Sequence, residues 1–136
     1  MARNLASRIG TGKVRNRGLR AERFAASYLQ RRGLKLIARN WHCARGEIDL
    51  VCIEGETIVF VEVKQRQCGA LVSAEESISA GKLRRLGAAA NSWIARYDPA
   101  GKLGARIDLV AINGIPADSN THWIKSLSIG GETDNG

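Results

Sequence analysis

The polar and apolar positions along this chain predict a helix, a hairpin, a second helix and two further strands. Across residues 18–32, Leu19, Phe24, Ala25, Tyr28 and Leu29 recur at helical spacing and Gly33 ends the run. That pattern predicts an amphipathic helix with a strongly basic outer face. Residues 34–38 read as a short strand and residues 39–45 as a loop. The stretch 46–64 reads as a β-hairpin. Residues 47–53 alternate acid and apolar side chains before turning apolar, Glu54-Gly55-Glu56 makes the turn, and residues 57–63 return. A polar loop covers 65–69. Ser73 with Glu76 three residues on is a capping-box pattern. It predicts a helix running through Ile78, Leu83, Leu86, Ala90, Trp93 and Ile94 to about Tyr97, where Asp98-Pro99-Ala100-Gly101 stops it. Residues 106–112 form another strand, and residues 121–128 a last, edge strand. Ile-Asp-Leu-Val occurs twice, at 48–51 and 107–110, as two similarly patterned strands without matching flanks.

These elements amount to one α/β domain, a central mixed sheet of about five strands flanked by helices. Its expected limits are residues 15–129. Residues 1–14, rich in Arg, Gly and Ser with no apolar period, read as a flexible basic arm, and residues 130–136 as a disordered tail. No apolar run reaches the length of a membrane span, and no hydrophobic segment follows the N-terminal basic residues. The expected location is therefore the cytoplasm, with no membrane partner.

The charges inside the hairpin carry the chemistry. Alternate strand residues share a face, so Ile58, Phe60, Glu62 and Lys64 point one way and Thr57, Val59, Val61 and Val63 the other. A run apolar on both faces is covered on both sides. Glu62 thus emerges from a buried strand, where an uncompensated carboxylate costs roughly several kcal/mol. Lys64 is one partner for it and a metal ion another. Asp49, near the same end of the neighbouring strand, supplies a second carboxylate. Two acids and Glu-x-Lys on adjacent strands suit a divalent cation; a plain Glu62–Lys64 ion pair with a solvated Asp49 fits the spacing equally well.

The net charge of +8 is unevenly spread. Residues 1–35 hold ten Lys or Arg against a single acid, Glu22, and the rest of the chain is close to neutral. Such a block is the electrostatic footprint of a polyanion binder, with nucleic acid first in line. Arg15, Arg17, Arg20, Arg66, Lys82 and Arg85 are the candidate backbone contacts, and Lys82 is also within reach of a site beside its helix. Three cysteines without paired spacing exclude a disulfide framework or zinc knuckle, and two histidines leave little for a His-based centre. Gly10-Thr11-Gly12-Lys13 lacks the first Gly and the final hydroxyl residue of a phosphate-binding loop, and no strand precedes it.

Ala21-Glu22 through Tyr28-Leu29, Arg39-Asn40-Trp41, residues 46–50 and residues 59–66, with the Lys82 helix and Arg106-Ile107-Asp108, resemble the YraN family of small bacterial proteins. That family is assigned to the restriction-endonuclease-like, PD-(D/E)XK superfamily. The resemblance covers residues 18–128 and implies an α-β-β-β-α-β core. It also implies a Mg²⁺ (or Mn²⁺) site made by Asp49, Glu62 and the Val63 backbone carbonyl, with Lys64 beside the attacking water. Glu22 matches the helix acid of archaeal Holliday-junction resolvases, as an outer ligand. The superfamily's proline before the first acid is Ile48 here, and the basic arm is longer than the family needs. The implied activity is metal-dependent hydrolysis of DNA, on branched or damaged substrates. The alternatives are a nucleic-acid binder that keeps the fold without turnover, and an adaptor for an acidic protein; a homodimer is left open.

Overall fold

The computed structural model describes residues 16–70 and 72–127; the expected arm (1–14), Arg15 and the tail (130–136) lie outside them. The element order is α1 (Asn16–Gln30), β1 (Lys35–Cys43), β2 (Gly46–Glu54), β3 (Thr57–Arg66), α2 (Ala80–Tyr97), β4 (Gly104–Asn113) and β5 (Thr121–Ile124), with single 3-10 turns at Glu75–Ser77 and Asp118–Asn120. The five strands form one mixed sheet in the order β1-β2-β3-β4-β5. Only β3 and β4 run parallel, the pairing that a helical crossover such as α2 allows.

Alternation along β3 sorts the core into two layers. Val59 and Val61 pack with Leu50, Cys52, Val110 and Ile112 against Ala21, Ala25, Ala26, Tyr28 and Leu29 of α1. Ile58 and Phe60 pack with Val51, Ile48 and Trp41 against Ala89, Ala90 and Trp93 of α2. The Phe60 and Trp93 rings meet edge to face at 5.7 Å. The helices therefore cover opposite faces of the sheet, and the two-faced apolar character of β3 follows from that. No helix among the described residues is long and apolar enough to cross a membrane.

Three boundaries differ from the sequence pattern. β1 continues through the predicted loop to Cys43. Its register shifts between Leu36 and Ala38, and Asn40 takes a positive φ of 52°. These irregularities bury the adjacent pairs Ile37/Ala38 and Asn40/Trp41, which erases the period-two signal. The Ser73–Glu76 capping box forms, with hydrogen bonds of 3.3 and 3.4 Å, but it closes only the 3-10 turn. Ile78 is extended, packing beside Leu109 and Ala111, and Ser79 caps α2 instead by accepting from the Lys82 N–H (3.0 Å). β5 ends at Ile124, short of the expected strand, although Leu127 N–H still donates to the Ile107 carbonyl of β4 (2.7 Å).

Candidate metal centre

The site begins where the sheet splits. The β2–β3 ladder runs from Glu54 opposite Thr57 to Leu50 opposite Val61 and stops. On the far side of that point β2 stays with β1, Ile48 facing Trp41 and Glu47 facing His42. β3 stays with β4, Glu62 facing Leu109 and Lys64 facing Ala111. Asp49 and Glu62 are the first residues past the fork. The Val63 N–H, deprived of a ladder partner, donates to Asp49 Oδ2 at 2.8 Å. A buried N–H needs such an acceptor, so Asp49 stabilises the fork as well as lining it.

Because the fork opens the sheet, groups from both faces reach one point. Glu22 of α1 and Lys82 of α2 join Asp49, Glu62, Val63 and Lys64 around a cleft of about 390 Å³, with Glu47 and Gln65 at its margin. Glu62 is 4% exposed, and Lys82 Nζ lies 3.7 Å from its Oε2. Lys82 occupies the first turn of α2, where the helix dipole disfavours a cation. Its pairing with Glu62, rather than helix stability, accounts for its place.

The acids are uncomfortable as anions. Burial first, then the Asp49 charge, pushes the Glu62 carboxyl up to about 8, against the pull of Lys82 and Lys64. Burial likewise raises Asp49, opposed by the Val63 N–H and Lys82; a hydrogen bond between the two carboxyls favours Asp49 as the anion and Glu62 as the proton holder. Glu22 is pushed up to about 7, by burial and then by Asp49, with the Asn40 amide working the other way. Glu22 Oε1 and Asn40 Nδ2 are both buried without a hydrogen-bond partner. Such orphaned polar atoms are rare and call for an explanation.

The donor set suits a hard cation. The cleft presents carboxylate and backbone oxygens, the ligands that Mg²⁺ and Mn²⁺ take in preference to soft sulfur. Among the described residues no three Asp, Glu, His or Cys side chains cluster at metal-binding distance. Any ion held here would draw on Asp49, Glu62 and a backbone oxygen such as that of Val63, with Glu22 further out.

The remaining residues singled out from the sequence lie elsewhere. Arg20 and Arg66 line a neighbouring cavity, Arg85 is exposed on α2, and Arg17 belongs to the first turn of α1. Trp41 is buried beneath α2, and His42 is exposed with Nδ1 3.2 Å from Glu47 Oε1. Asn40 is the residue that the sequence pattern passed over. Flanked by the pairs Arg39–Leu50 and Trp41–Ile48, it stands opposite Asp49 on β1. A polar residue between Arg39 and Trp41 has the pattern of a loop; in the fold it is buried with a left-handed backbone, and its amide acts on Glu22.

Comparison with known proteins agrees on one family. The profile of "Uncharacterised protein family UPF0102" matches residues 21–112. A "UPF0102 protein" of Pseudomonas syringae pv. syringae is 42% identical over 110 residues, covering 80% of this chain and 89% of the relative. Those of Nitrosococcus oceani (40% over 111 residues; 82% and 90%) and Pseudomonas aeruginosa LESB58 (38% over 114 residues; 82% and 91%) are similar. The matched segment runs from α1 to β4 and includes every acid of the cleft. The chain belongs to the UPF0102 family, the YraN-like family that its sequence resembles.

Proposed function

We propose that the chain is a metal-dependent nuclease of the PD-(D/E)XK type that hydrolyses DNA phosphodiester bonds, on branched or damaged substrates. One observation carries the reading: Asp49 and Glu62 meet at the fork of the sheet, Glu62 buried and Asp49 half-buried, with Lys64 and Lys82 alongside. Asp49, Glu62 and the Val63 carbonyl would hold Mg²⁺ or Mn²⁺. A bound ion of this kind lowers the pKa of a water ligand and offsets the charge that develops on the phosphoryl group. Lys64, at the open side of the cleft, orients the attacking water or donates to a phosphoryl oxygen. Glu22 supports the outer side of the site. Exposed Arg20, Arg66 and Arg85, with the basic residues at the N-terminal end, contact the phosphate backbone. That binding is salt-dependent and carries little sequence readout.

A second reading, a nucleic-acid binder without turnover, draws on Lys82, whose ammonium compensates Glu62 where a metal would otherwise do so. Cleavage decides between them. The full chain, stripped with EDTA, is mixed with branched, nicked and linear DNA while Mn²⁺ is added. The nuclease reading expects cleavage that Lys64→Ala abolishes without loss of DNA binding. Salt-sensitive binding with no cleavage on any substrate supports the binder.

A further inference from the structure

A second cavity, of about 330 Å³, lies beside the carboxylate cleft, between Arg20 of α1, Gln65 and Arg66 at the end of β3 with Gln67 and Cys68 just beyond it, and Ile115 and Pro116 beyond β4. Gln65 lines both spaces. The wall between them is well fixed. The Gln65 amide donates to the Gly114 carbonyl at 2.9 Å, the Gly114 N–H donates to the Arg66 carbonyl at 2.7 Å, and Asn120 Nδ2 donates to the Ile115 carbonyl at 2.8 Å. This bracing holds Ile115 out in water, 84% exposed. An exposed aliphatic side chain and a proline ring beside two guanidiniums form an amphiphilic recess, apolar on one wall and cationic on another. Its volume falls within the range of ligand pockets.

A single nucleotide has the matching chemistry: an anionic phosphate for Arg20 and Arg66, and a flat, weakly polar base for Ile115 and Pro116. A base inside a duplex is stacked and paired, and cannot enter; an unpaired one costs little to place there. We propose that this cavity receives an unpaired nucleotide of the DNA strand next to the phosphate in the carboxylate cleft, so that the protein selects junctions, flaps or gaps over continuous duplex. Adjacency to the phosphate in the carboxylate cleft rests on the nuclease reading; nucleotide binding by the cavity does not.

Cys68, exposed on the cavity wall, reports occupancy directly, with Cys43 half-buried and Cys52 buried as references in the same chain. The full chain is alkylated with iodoacetamide in EDTA, alone, with a short oligo-dT strand, or with a blunt duplex, and each cysteine is followed by mass spectrometry. Saturating oligo-dT is expected to slow Cys68 modification about tenfold and to leave Cys43 unchanged, as a base occupying the cavity shields the thiol. Blunt duplex at equal bound fraction leaves Cys68 reactive. Equal protection by duplex, or none by oligo-dT, overturns the proposal. As a second arm, Ile115→Ser is expected to weaken oligo-dT binding about fivefold while duplex binding holds; unchanged oligo-dT binding also overturns it. EDTA prevents turnover, so the two readings fail separately. Protection without Mn²⁺-dependent cleavage removes the nuclease and keeps the pocket; cleavage without protection does the reverse.

Discussion

Ile48-Asp49-Leu50-Val51 and Ile107-Asp108-Leu109-Val110 are the same four residues in the same order, in one sheet, yet their acids meet opposite fates. Asp108 is fully buried and fully satisfied. It accepts from Arg106 Nε at 3.0 Å, Trp123 Nε1 at 2.9 Å and the Ser126 N–H at 2.9 Å, while Arg106 Nη2 reaches on to Glu54 at 2.6 Å. That network ties β2, β4, β5 and the segment after β5 together. Asp49 has one backbone donor and the Lys82 charge on one side, and three acids, Glu62, Glu22 and Glu47, on the others. A carboxylate surrounded by donors is structural; one surrounded by carboxylates stores electrostatic cost, and such cost concentrates at functional sites. The difference lies in the neighbours, since the tetrapeptide is constant.

Exchanging the roles of the two acids breaks the comparison most sharply. On the nuclease reading, Asp49→Asn or Glu62→Gln lowers Mn²⁺-dependent cleavage by roughly 10³-fold, about 4 kcal/mol of transition-state stabilisation. Quantitative gel cleavage assays read this directly, and both variants stay folded. Asp108→Ala has the opposite profile. It leaves the Arg106 Nε–H, the Trp123 indole and the Ser126 N–H without their acceptor inside the protein, with Glu54 alone still holding the guanidinium, and costs about 3–5 kcal/mol of stability. Urea denaturation measures that loss. If Asp108→Ala melts like the parent chain, the structural assignment is wrong.

A smaller effect separates the acids by pH. Glu62 and Glu22, raised to about 8 and about 7 from an ordinary value of 4.5, keep protons that the unfolded chain has already released. The folded state therefore binds more protons than the unfolded one between about pH 4.5 and about pH 8. Unfolding free energy falls as pH rises through that window. Thermal melts across it are expected to show a declining midpoint without metal, and Glu62→Gln flattens the decline. The smallest effect belongs to the half-buried acid of α1: Glu22→Gln relieves a repulsive contact with Asp49 and raises the unfolding free energy near pH 8 by about 1 kcal/mol or less, read as a slightly higher melting midpoint.

Much of this was legible in the sequence, for reasons that particular residues make plain. The hairpin declared itself through β-branched density around Gly55, and its alternation sorted β3 into two covered faces; which helix lies on which face came only from the packing. Glu62 stood out because a charge interrupts a two-faced apolar strand. The fork could not be read, because it depends on which strand each segment prefers beyond Leu50 and Val61, and pairing is not encoded locally. β1 stayed hidden for a related reason: a register shift and a left-handed Asn40 destroyed its alternation. Ser73 and Glu76 did form their box, but burial of Ile78 beside Leu109 and Ala111 outweighed helix continuation. Lys82 was placed within reach of a site beside its helix; that its partner is Glu62 emerged only from the packing of α2 over the fork.

Calorimetric titration of Mn²⁺ into the EDTA-stripped chain near pH 7, repeated in two buffers of different ionisation enthalpy, tests the central contrast between the two aspartates most directly. A cation-seeking fork predicts saturable binding with protons released as Glu62 gives up its hydrogen, abolished by Asp49→Asn. Heat that shows no saturable binding, or binding that Asp49→Asn leaves intact, would contradict it.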